Sequence, residues 1–343
     1  MHPSGIGHGK EHSTGAPVRT PAIAVHGLRK SYGGHEVLHG LDFTVEHGTI
    51  FGMIGPNGAG KTTTMRALLD IIRPTAGELA LLGENPQQSG PALRRRIGYV
   101  PGDLTLQGRT TGTKLLEHYA QISGPVKPGR VAELAERLDL DLNAQIRRLS
   151  KGNKQKLGLV QAFMHDPELL VLDEPTSGLD PLMQQEFIAL AREARDNGQT
   201  VFLSSHVLSE IQAAADKVAI LRGGRIATIA TVEELRATAK RRLRLSATGT
   251  TAPTVEALLG SVPGVLQAHA TPGTRPGTVD ATAILEDGVN HLVGALAGLH
   301  LLDLVLEEPD LEEAVLGLYA TDHTHTDRTP PYPRRRQLRK DRR

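Results

Sequence analysis

One short pattern near the start of this chain restricts its fold more than any other feature. Residues 55–62 read GPNGAGKT and satisfy every defined position of the pattern G-x-x-x-x-G-K-[ST]. A strand-like run, Ile50–Ile54, precedes the pattern, and a helical run, Thr62–Leu69, follows it. Glycines in such a turn let backbone N–H groups close around phosphate oxygens at a helix N-terminus. The pattern therefore predicts a phosphate-binding α/β fold, and its flanks disfavour the alternative of a glycine-rich turn that binds nothing.

Two side chains of this loop have a predicted role in chemistry. We expect Lys61 to reach the β- and γ-phosphates of a nucleotide, and the Thr62 hydroxyl to be a ligand of Mg²⁺. The predicted nucleotide contacts are Gly55, Pro56, Asn57, Gly58, Ala59, Gly60, Lys61, Thr62 and Thr63.

A second pattern supplies acidic side chains. Residues 169–174 read LLVLDE, an apolar run that ends in two carboxylates and predicts a buried strand with acids at its C-terminal end. Asp173 is then placed to hold Mg²⁺ through water, and Glu174 to polarise an attacking water. The pattern alone is weak, because many buried strands end in an acid. Together with the phosphate loop it predicts nucleotide hydrolysis.

The distribution of apolar residues predicts two domains between polar ends. Over residues 21–238, strand-like runs alternate with helical patterns, which favours a sheet of parallel strands covered by helices. Residues 241–320 predict a small α+β domain with the order β-α-β-β-α-β of ferredoxin-like folds, and a last helix at Asp310–Leu318. Its predicted elements are strands at Leu243–Ala247, Val265–Ala270, Thr278–Leu285 and Leu301–Leu306, and helices at Thr254–Leu259 and Gly288–Ala297.

Composition narrows the remaining classes. The absence of cysteine excludes a disulfide scaffold, a thiol nucleophile and cysteine metal sites. No stretch reaches the length and apolarity of a spanning helix, so a soluble chain is expected. Residues 1–20 and 321–343 are predicted to be disordered. The basic C-terminal tail is either solvated or in contact with anionic lipid headgroups. No nucleic-acid partner is expected, because the net charge is only +1 and no aromatic platform accompanies the basic residues.

Three further segments complete a recognisable set. Residues 149–153 read LSKGN, residues 177–180 read SGLD, and residues 204–206 read SSH. Alone, Ser150 could be only a helix N-cap, and His206 only a solvated histidine. With the phosphate loop and the LLVLDE strand, however, the five elements in this order resemble the ATP-binding-cassette (ABC) ATPases over essentially all of residues 22–237.

The resemblance implies a P-loop NTPase fold with a helical subdomain, ATP and Mg²⁺ as ligands, and two copies packed head to tail with ATP at the interface. Tyr32 would stack on adenine, and His206 would face the γ-phosphate as a third catalytic group beside Lys61 and Glu174. Each ATP would also meet the other copy's signature residues, namely Leu149, Ser150, Lys151, Gly152 and Asn153. The two sites would be connected by the dimer loop Ser177, Gly178, Leu179 and Asp180.

Two departures from the family pattern bear on activity. The signature usually reads LSGGQ, whereas here Lys151 and Asn153 stand at two of its positions. The loop after Ile97–Val100 usually carries a glutamine after its proline, whereas here Gly102 follows Pro101 and has no side chain to touch Mg²⁺ or water. Asp103 is the candidate substitute ligand, and a turn or cap role is equally natural for it. If neither it nor water fills the gap, hydrolysis is expected to be slow or dependent on a partner.

The C-terminal part indicates which kind of cassette protein this is. Residues 306–315, LEEPDLEEAV, resemble the closing pattern of multidrug and antibiotic exporter ATPases, with the daunorubicin-resistance ATP-binding subunits as the nearest type. This implies an ATPase subunit for export of drugs, natural products or lipid-like molecules. It would lie at the cytoplasmic face of the membrane, bound to a separately encoded polytopic membrane subunit. Two alternatives stay open: a soluble ABC ATPase acting on ribosomes or nucleic acid, and a weakly hydrolysing regulatory module.

Overall fold

The computed structural model describes residues 20–238, 240–286 and 289–307. The chain divides into two compact units, Met1–Glu234 and Leu235–Arg343. Strands of the first unit are β1 (Ile23–Tyr32), β2 (His35–Val45), β3 (Ile50–Ile54), β4 (Ala76–Leu81), β5 (Ile97–Val100), β6 (Leu169–Asp173), β7 (Thr200–Ser205), β8 (Lys217–Arg222) and β9 (Arg225–Thr231). Helices are α1 (Lys61–Leu68), α2 (Gly90–Arg94), α3 (Gly112–Ser123), α4 (Arg130–Arg137), α5 (Lys151–Phe163), α6 (Pro181–Asp196) and α7 (Leu208–Ala214), and α8 (Val232–Thr238) follows them.

A six-stranded sheet carries the phosphate loop and the acidic residues. Its order is β5-β6-β7-β3-β8-β9, and all strands are parallel except β9, which pairs antiparallel with β8. Every residue of β3, β6 and β7 is buried, as expected for parallel strands covered on both faces. Because β7 alone separates β3 from β6, the phosphate loop and the two carboxylates leave the same edge of the sheet. The α/β fold predicted from the alternation of strands and helices is confirmed.

A second, antiparallel sheet of order β2-β1-β4 packs on the first through an aromatic cluster. The rings of Phe43, Phe51 and Phe202 lie with centroids 5.8–6.0 Å apart. Such pairs add to the free energy gained from burial alone. Phe51 lies on β3 and Phe202 on the neighbouring strand β7, so this cluster holds these two strands against the second sheet.

The chain between β5 and β6 forms a helical insertion that comprises α3, α4 and α5. It leaves the sheet at Val100, at the edge that carries the phosphate loop, and returns at Leu169, at the opposite edge. At the return point, Arg96 makes a two-bonded ion pair with Glu168, with N–O distances of 2.6 and 2.9 Å. This pair holds the pKa of the Glu168 carboxyl below its ordinary value, chiefly through the hydrogen bonds from Arg96.

Arg137 connects the helical insertion to α6. Arg137, at the end of α4, donates hydrogen bonds of 2.6–2.7 Å to Glu186 and Glu193 on α6. Its side chain is 24% exposed, so these charge-assisted bonds are partly shielded from water.

The second unit forms one four-stranded sheet with helices on one face. Its elements are β10 (Arg241–Thr248), α9 (Ala252–Gly260), β11 (Val265–Pro272), β12 (Thr278–Leu285), α10 (Val289–Leu296) and β13 (His300–Glu307). The sheet order is β11-β12-β10-β13 with all pairs antiparallel. Both the predicted order β-α-β-β-α-β and the ferredoxin-like topology are therefore present.

Burial along these strands follows the two-residue period of a half-covered sheet. On β10, Leu243, Leu245 and Ala247 are buried in a cluster with residues of both helices, whereas Arg242 and Arg244 lie on the opposite face. The helix predicted at Asp310–Leu318 and both predicted tails lie outside the described residues, except for Thr20. Within the described ranges, no helix has the length and apolarity required to span a membrane.

We predict that Arg137→Met lowers the free energy of unfolding by about 1–3 kcal/mol, because it leaves two glutamates on α6 without their cation. Urea unfolding of the full chain measures the change. Lys127→Met is the control, because Lys127 is 78% exposed and its partner Asp166 keeps a second cation, Arg130, at 3.5 Å. The control should change the free energy by less than about 0.5 kcal/mol. Equal losses in both variants would contradict a special role for Arg137.

Candidate functional site

The phosphate loop connects the buried end of β3 to the first turn of α1. Gly60 has a φ of +112°, a backbone conformation that L side chains rarely adopt, and an added Cβ there would approach Leu38 to 2.6 Å. The loop therefore requires glycine at this position for both conformation and space. The Gly60 carbonyl accepts hydrogen bonds from the backbone N–H and the hydroxyl of Thr64, which start α1.

Three ionisable side chains form a line beside this loop. Lys61 Nζ donates to the Gly55 carbonyl oxygen at 2.7 Å and lies 3.3 Å from Glu174 Oε1. Glu174 Oε2 is 2.6 Å from His206 Nδ1. This distance is that of a hydrogen bond between the carboxyl group and the imidazole. Lys61 is buried and His206 is half-exposed, so the line runs from the protein interior to the solvent.

Asp173 lies fully buried next to this line. Ser204 donates its hydroxyl to Asp173 Oδ1 at 2.6 Å and accepts the backbone N–H of Glu174 at 3.1 Å. Asp173 Oδ2 is buried without a hydrogen bond within the described part of the chain. A buried carboxylate oxygen without a donor is costly. Burial and, to a smaller extent, the charge of the neighbouring Asp173 raise the pKa of the Tyr99 hydroxyl.

The donor set fits Mg²⁺. This ion is usually bound by one or two protein carboxylate or hydroxyl groups, with water and nucleotide phosphates at its other positions. Asp173, with its free Oδ2, and the Thr62 hydroxyl at the start of α1 are groups of that kind. Among the residues that the structure describes, no cluster of three or more His, Asp and Glu side chains could form a separate metal site.

Gly102 packs directly against this free oxygen. A Cβ built on Gly102 would lie 2.9 Å from Asp173 Oδ2, closer than real Cβ contacts. The glycine at the usual glutamine position therefore lets the backbone pack against the buried carboxylate. Asp103, one residue later, is exposed and faces the cleft beside the phosphate loop.

Glu174 has a left-handed backbone, with a φ of +49°. A non-glycine residue in this region costs about 1–2 kcal/mol. Gln155 on α5 supports the strained segment, because its buried amide donates to the carbonyl oxygens of Pro175 at 3.0 Å and Glu174 at 3.3 Å. Sequence reasoning missed Gln155, since a glutamine within a helix has no pattern that marks it.

The signature residues surround the start of α5. Ser150 is its N-cap and accepts a hydrogen bond from the backbone N–H of Asn153 at 3.2 Å. The helix N-cap is one of the two roles considered for Ser150 from the sequence. Leu149 precedes the cap. The dimer loop is close by, with Leu179 buried and Asp180 capping α6 through the backbone N–H of Met183 at 3.0 Å.

An open cleft of about 580 Å³ joins most of the predicted groups. It is lined by Val37, Pro56, Asn57, Gly58, Ala59, Gly60, Lys61, Thr62, Thr63, Gly102, Asp103, Lys151, Glu174, Ser177 and His206. Ser150, Gly152 and Asn153 do not line it. Tyr32 does not line it either: its ring is half-exposed at the end of β1, with Lys30 Nζ 4.8 Å from the ring centroid.

The fold and this cleft define a phosphate-loop nucleotide-binding protein. Comparisons narrow the class, because a family model described as "ABC transporter" matches residues 38–177. The daunorubicin resistance ATP-binding protein of Streptomyces coeruleorubidus is 32% identical over 316 residues, which are 88% of this chain and 96% of that protein. The chain therefore belongs to the ATP-binding proteins of the ABC transporter family, and the resemblance stated from its motifs is confirmed.

Other relatives match a smaller part of this chain. The bacitracin transport ATP-binding protein of Bacillus licheniformis is 39% identical over 202 residues, which are 58% of this chain. The match spans 66% of that protein, slightly less than two thirds of its length. A solved structure of an ATP-binding subunit of an ABC transporter is 29% identical, with a TM-score of 0.58, and covers 63% of this chain and 92% of that one.

We predict that Gly102→Ala raises the Mg²⁺ concentration needed for half-maximal ATP hydrolysis by about tenfold, because its Cβ would displace Asp173 Oδ2. Titration of Mg²⁺ at saturating ATP measures the effect. Gly260→Ala is the control, since a Cβ at Gly260 meets nothing within 4 Å. An unchanged Mg²⁺ requirement in Gly102→Ala would contradict the metal-binding role of Asp173.

Proposed function

We propose that this chain is the ATP-binding and ATP-hydrolysing subunit of an ABC exporter and powers a separately encoded membrane subunit. The observation that carries this proposal is the line of Lys61, Glu174 and His206 beside the phosphate loop, with the buried Asp173 next to it. It combines a cation for phosphate, a carboxylate for water and an imidazole, and the carboxylate contacts both of the other groups.

The geometry supports a hydrolysis step in which these groups exchange partners. A bound γ-phosphate offers Lys61 an anion in place of Glu174, so the Glu174 carboxylate becomes available to polarise water. His206 keeps that carboxylate oriented through its contact with Oε2. Thr62 and Asp173 would hold Mg²⁺, which would supply charge neutralisation at the phosphates.

Two further parts of the proposal rest on the arrangement of the signature. Ser150, Gly152 and Asn153 do not line their own chain's cleft. This supports a homodimer in which they meet the ATP held by the other copy, and in which ATP closes the dimer and hydrolysis opens it. We also propose that Tyr32 stacks on the adenine of the bound ATP. The residues from Ser177 to Asp180 would connect the two ATP sites of the dimer.

The substrate class is argued from the relatives. Their names describe bacitracin transport, Nod factor export and daunorubicin resistance. We therefore propose a drug, a natural product or a lipid-like molecule as the exported substrate, and a peripheral location at the cytoplasmic face of the membrane. One observation supports the alternative of a weakly hydrolysing regulatory module, namely that Gly102 has no side chain at the usual glutamine position.

We predict that Glu174→Gln lowers kcat for ATP hydrolysis by at least about 100-fold while ATP binding persists, because the amide cannot act on water as a base. The variant should also form a stable dimer with ATP, which light scattering detects. Glu46→Gln, which changes an exposed glutamate on the same unit, is the control and should behave as wild type. If wild type and Glu174→Gln share the same slow rate, the regulatory module is the better description.

The membrane partner is tested by purifying Glu174→Gln with ATP from detergent-solubilised membranes of its own cells. We expect a polytopic membrane protein in near-equal amount, identified by mass spectrometry, and its loss in Lys61→Ala. Recovery of ribosomal proteins or nucleic acid instead would refute the transport proposal and leave only the ATPase chemistry.

A further inference from the structure

The unusual lysine of the signature makes a contact within its own chain. Lys151 is the first residue of α5, and its Nζ donates to Ser177 Oγ at 3.1 Å. Its methylene carbons lie along the backbone of Gly178, where an added Cβ would be 3.5–3.7 Å from them. At the next residue, a Cβ added to Gly152 would lie 2.6 Å from the Gly178 carbonyl oxygen. The start of α5 and the start of the dimer loop are therefore in close contact.

Lys151 and Gln155 hold the same stretch of chain from one face of α5. Residues four apart lie one turn from each other on a helix. Gln155 donates to the carbonyl oxygens of Glu174 and Pro175, and Lys151 donates to Ser177. Between these supports the chain turns, with the Ser177 N–H bonded to the Glu174 carbonyl at 3.1 Å. The strained Glu174 thus begins a short segment that α5 supports at both ends.

Among the residues that the structure describes, Lys151 has no ion-pair partner. Within the described ranges, Ser177 is its hydrogen-bond partner, and no carboxylate lies within salt-bridge distance of its Nζ. A lysine paired with a carboxylate outside the dimer loop would keep its position if that loop moved. Here the bond is made to the loop itself, and its presence depends on where the loop lies.

From these contacts we propose that Lys151 is a positioning residue for ATP hydrolysis. Through Ser177 and Gly178 it fixes the segment 174–178 on α5, and it thereby orients the Glu174 carboxylate toward the attacking water. Lys151 is not a catalytic residue, since it does not contact Glu174. This inference rests on the proposed ATPase activity of the same site.

A double-mutant cycle on the full-length protein tests the proposal. The variants are Lys151→Met, which keeps the stem without its donor, Ser177→Ala, and the two together. Each single variant should lower kcat by about three- to tenfold with KM for ATP nearly unchanged, because the lost hydrogen bond serves orientation and not binding. The double variant should be no slower than the slower single variant, since both changes remove one interaction.

Two further variants separate positioning from a general structural effect. Lys151→Arg retains a donor of similar reach and should recover most of the wild-type kcat. Lys154→Met is the control on the same helix, since among the described residues Lys154 makes no hydrogen bond or ion pair with the segment 174–178, and it should leave kcat unchanged. The urea unfolding midpoint should be the same for all of these proteins, so that a loss of kcat is not a loss of folded protein.

The outcomes that overturn the inference differ from those that overturn the proposed function. Additive losses of kcat, an unchanged kcat in Lys151→Met, or a raised KM with unchanged kcat would each refute a positioning role while wild-type hydrolysis stands. The last result would indicate that Lys151 binds nucleotide directly. If wild type itself hydrolyses no ATP, the proposed function and this inference both fail.

Discussion

A single buried hydroxyl group, that of Ser204, organises the chemistry of this protein. The Ser204 hydroxyl on β7 donates to Asp173 on β6 and accepts the backbone N–H of Glu174, so one oxygen sets the position of two carboxylate residues. Because β7 lies between β6 and β3, the same strand also fixes the distance from these acids to the phosphate loop. The burial of β3, β6 and β7 protects this arrangement from water, which would otherwise compete for both hydrogen bonds.

The departures from the family pattern are related through this arrangement. Gly102 removes a side chain next to the free oxygen of Asp173, and Lys151 adds one next to the segment that follows Glu174. Both changes face the short stretch that contains the two acidic residues. The loss of a polar group on one side and the gain of a cation on the other leave the core hydrogen bonds of Ser204 in place.

Sequence patterns predicted those parts of the site whose residues are adjacent in the chain. The phosphate loop and the strand that ends in Asp173 and Glu174 are local patterns, and so are the alternating strands of the second unit, where β12 has the predicted bounds. The contact of His206 with Glu174 and the support from Gln155 depend on which strands are neighbours and on how α5 packs. No short-range pattern specifies such contacts. The stacking role of Tyr32 stays a prediction, because its ring lies outside the cleft.

The two attachments of the helical insertion have different surroundings. At one attachment the chain leaves the sheet beside Asp173, and Gly102 packs against that carboxylate. At the other attachment the chain returns to the opposite edge of the sheet, where Arg96 donates two hydrogen bonds to Glu168. A body displaced at one attachment and held at the other rotates about the held point. Arg137 adds a third attachment through its hydrogen bonds to Glu186 and Glu193 on α6, so the insertion resists such a rotation.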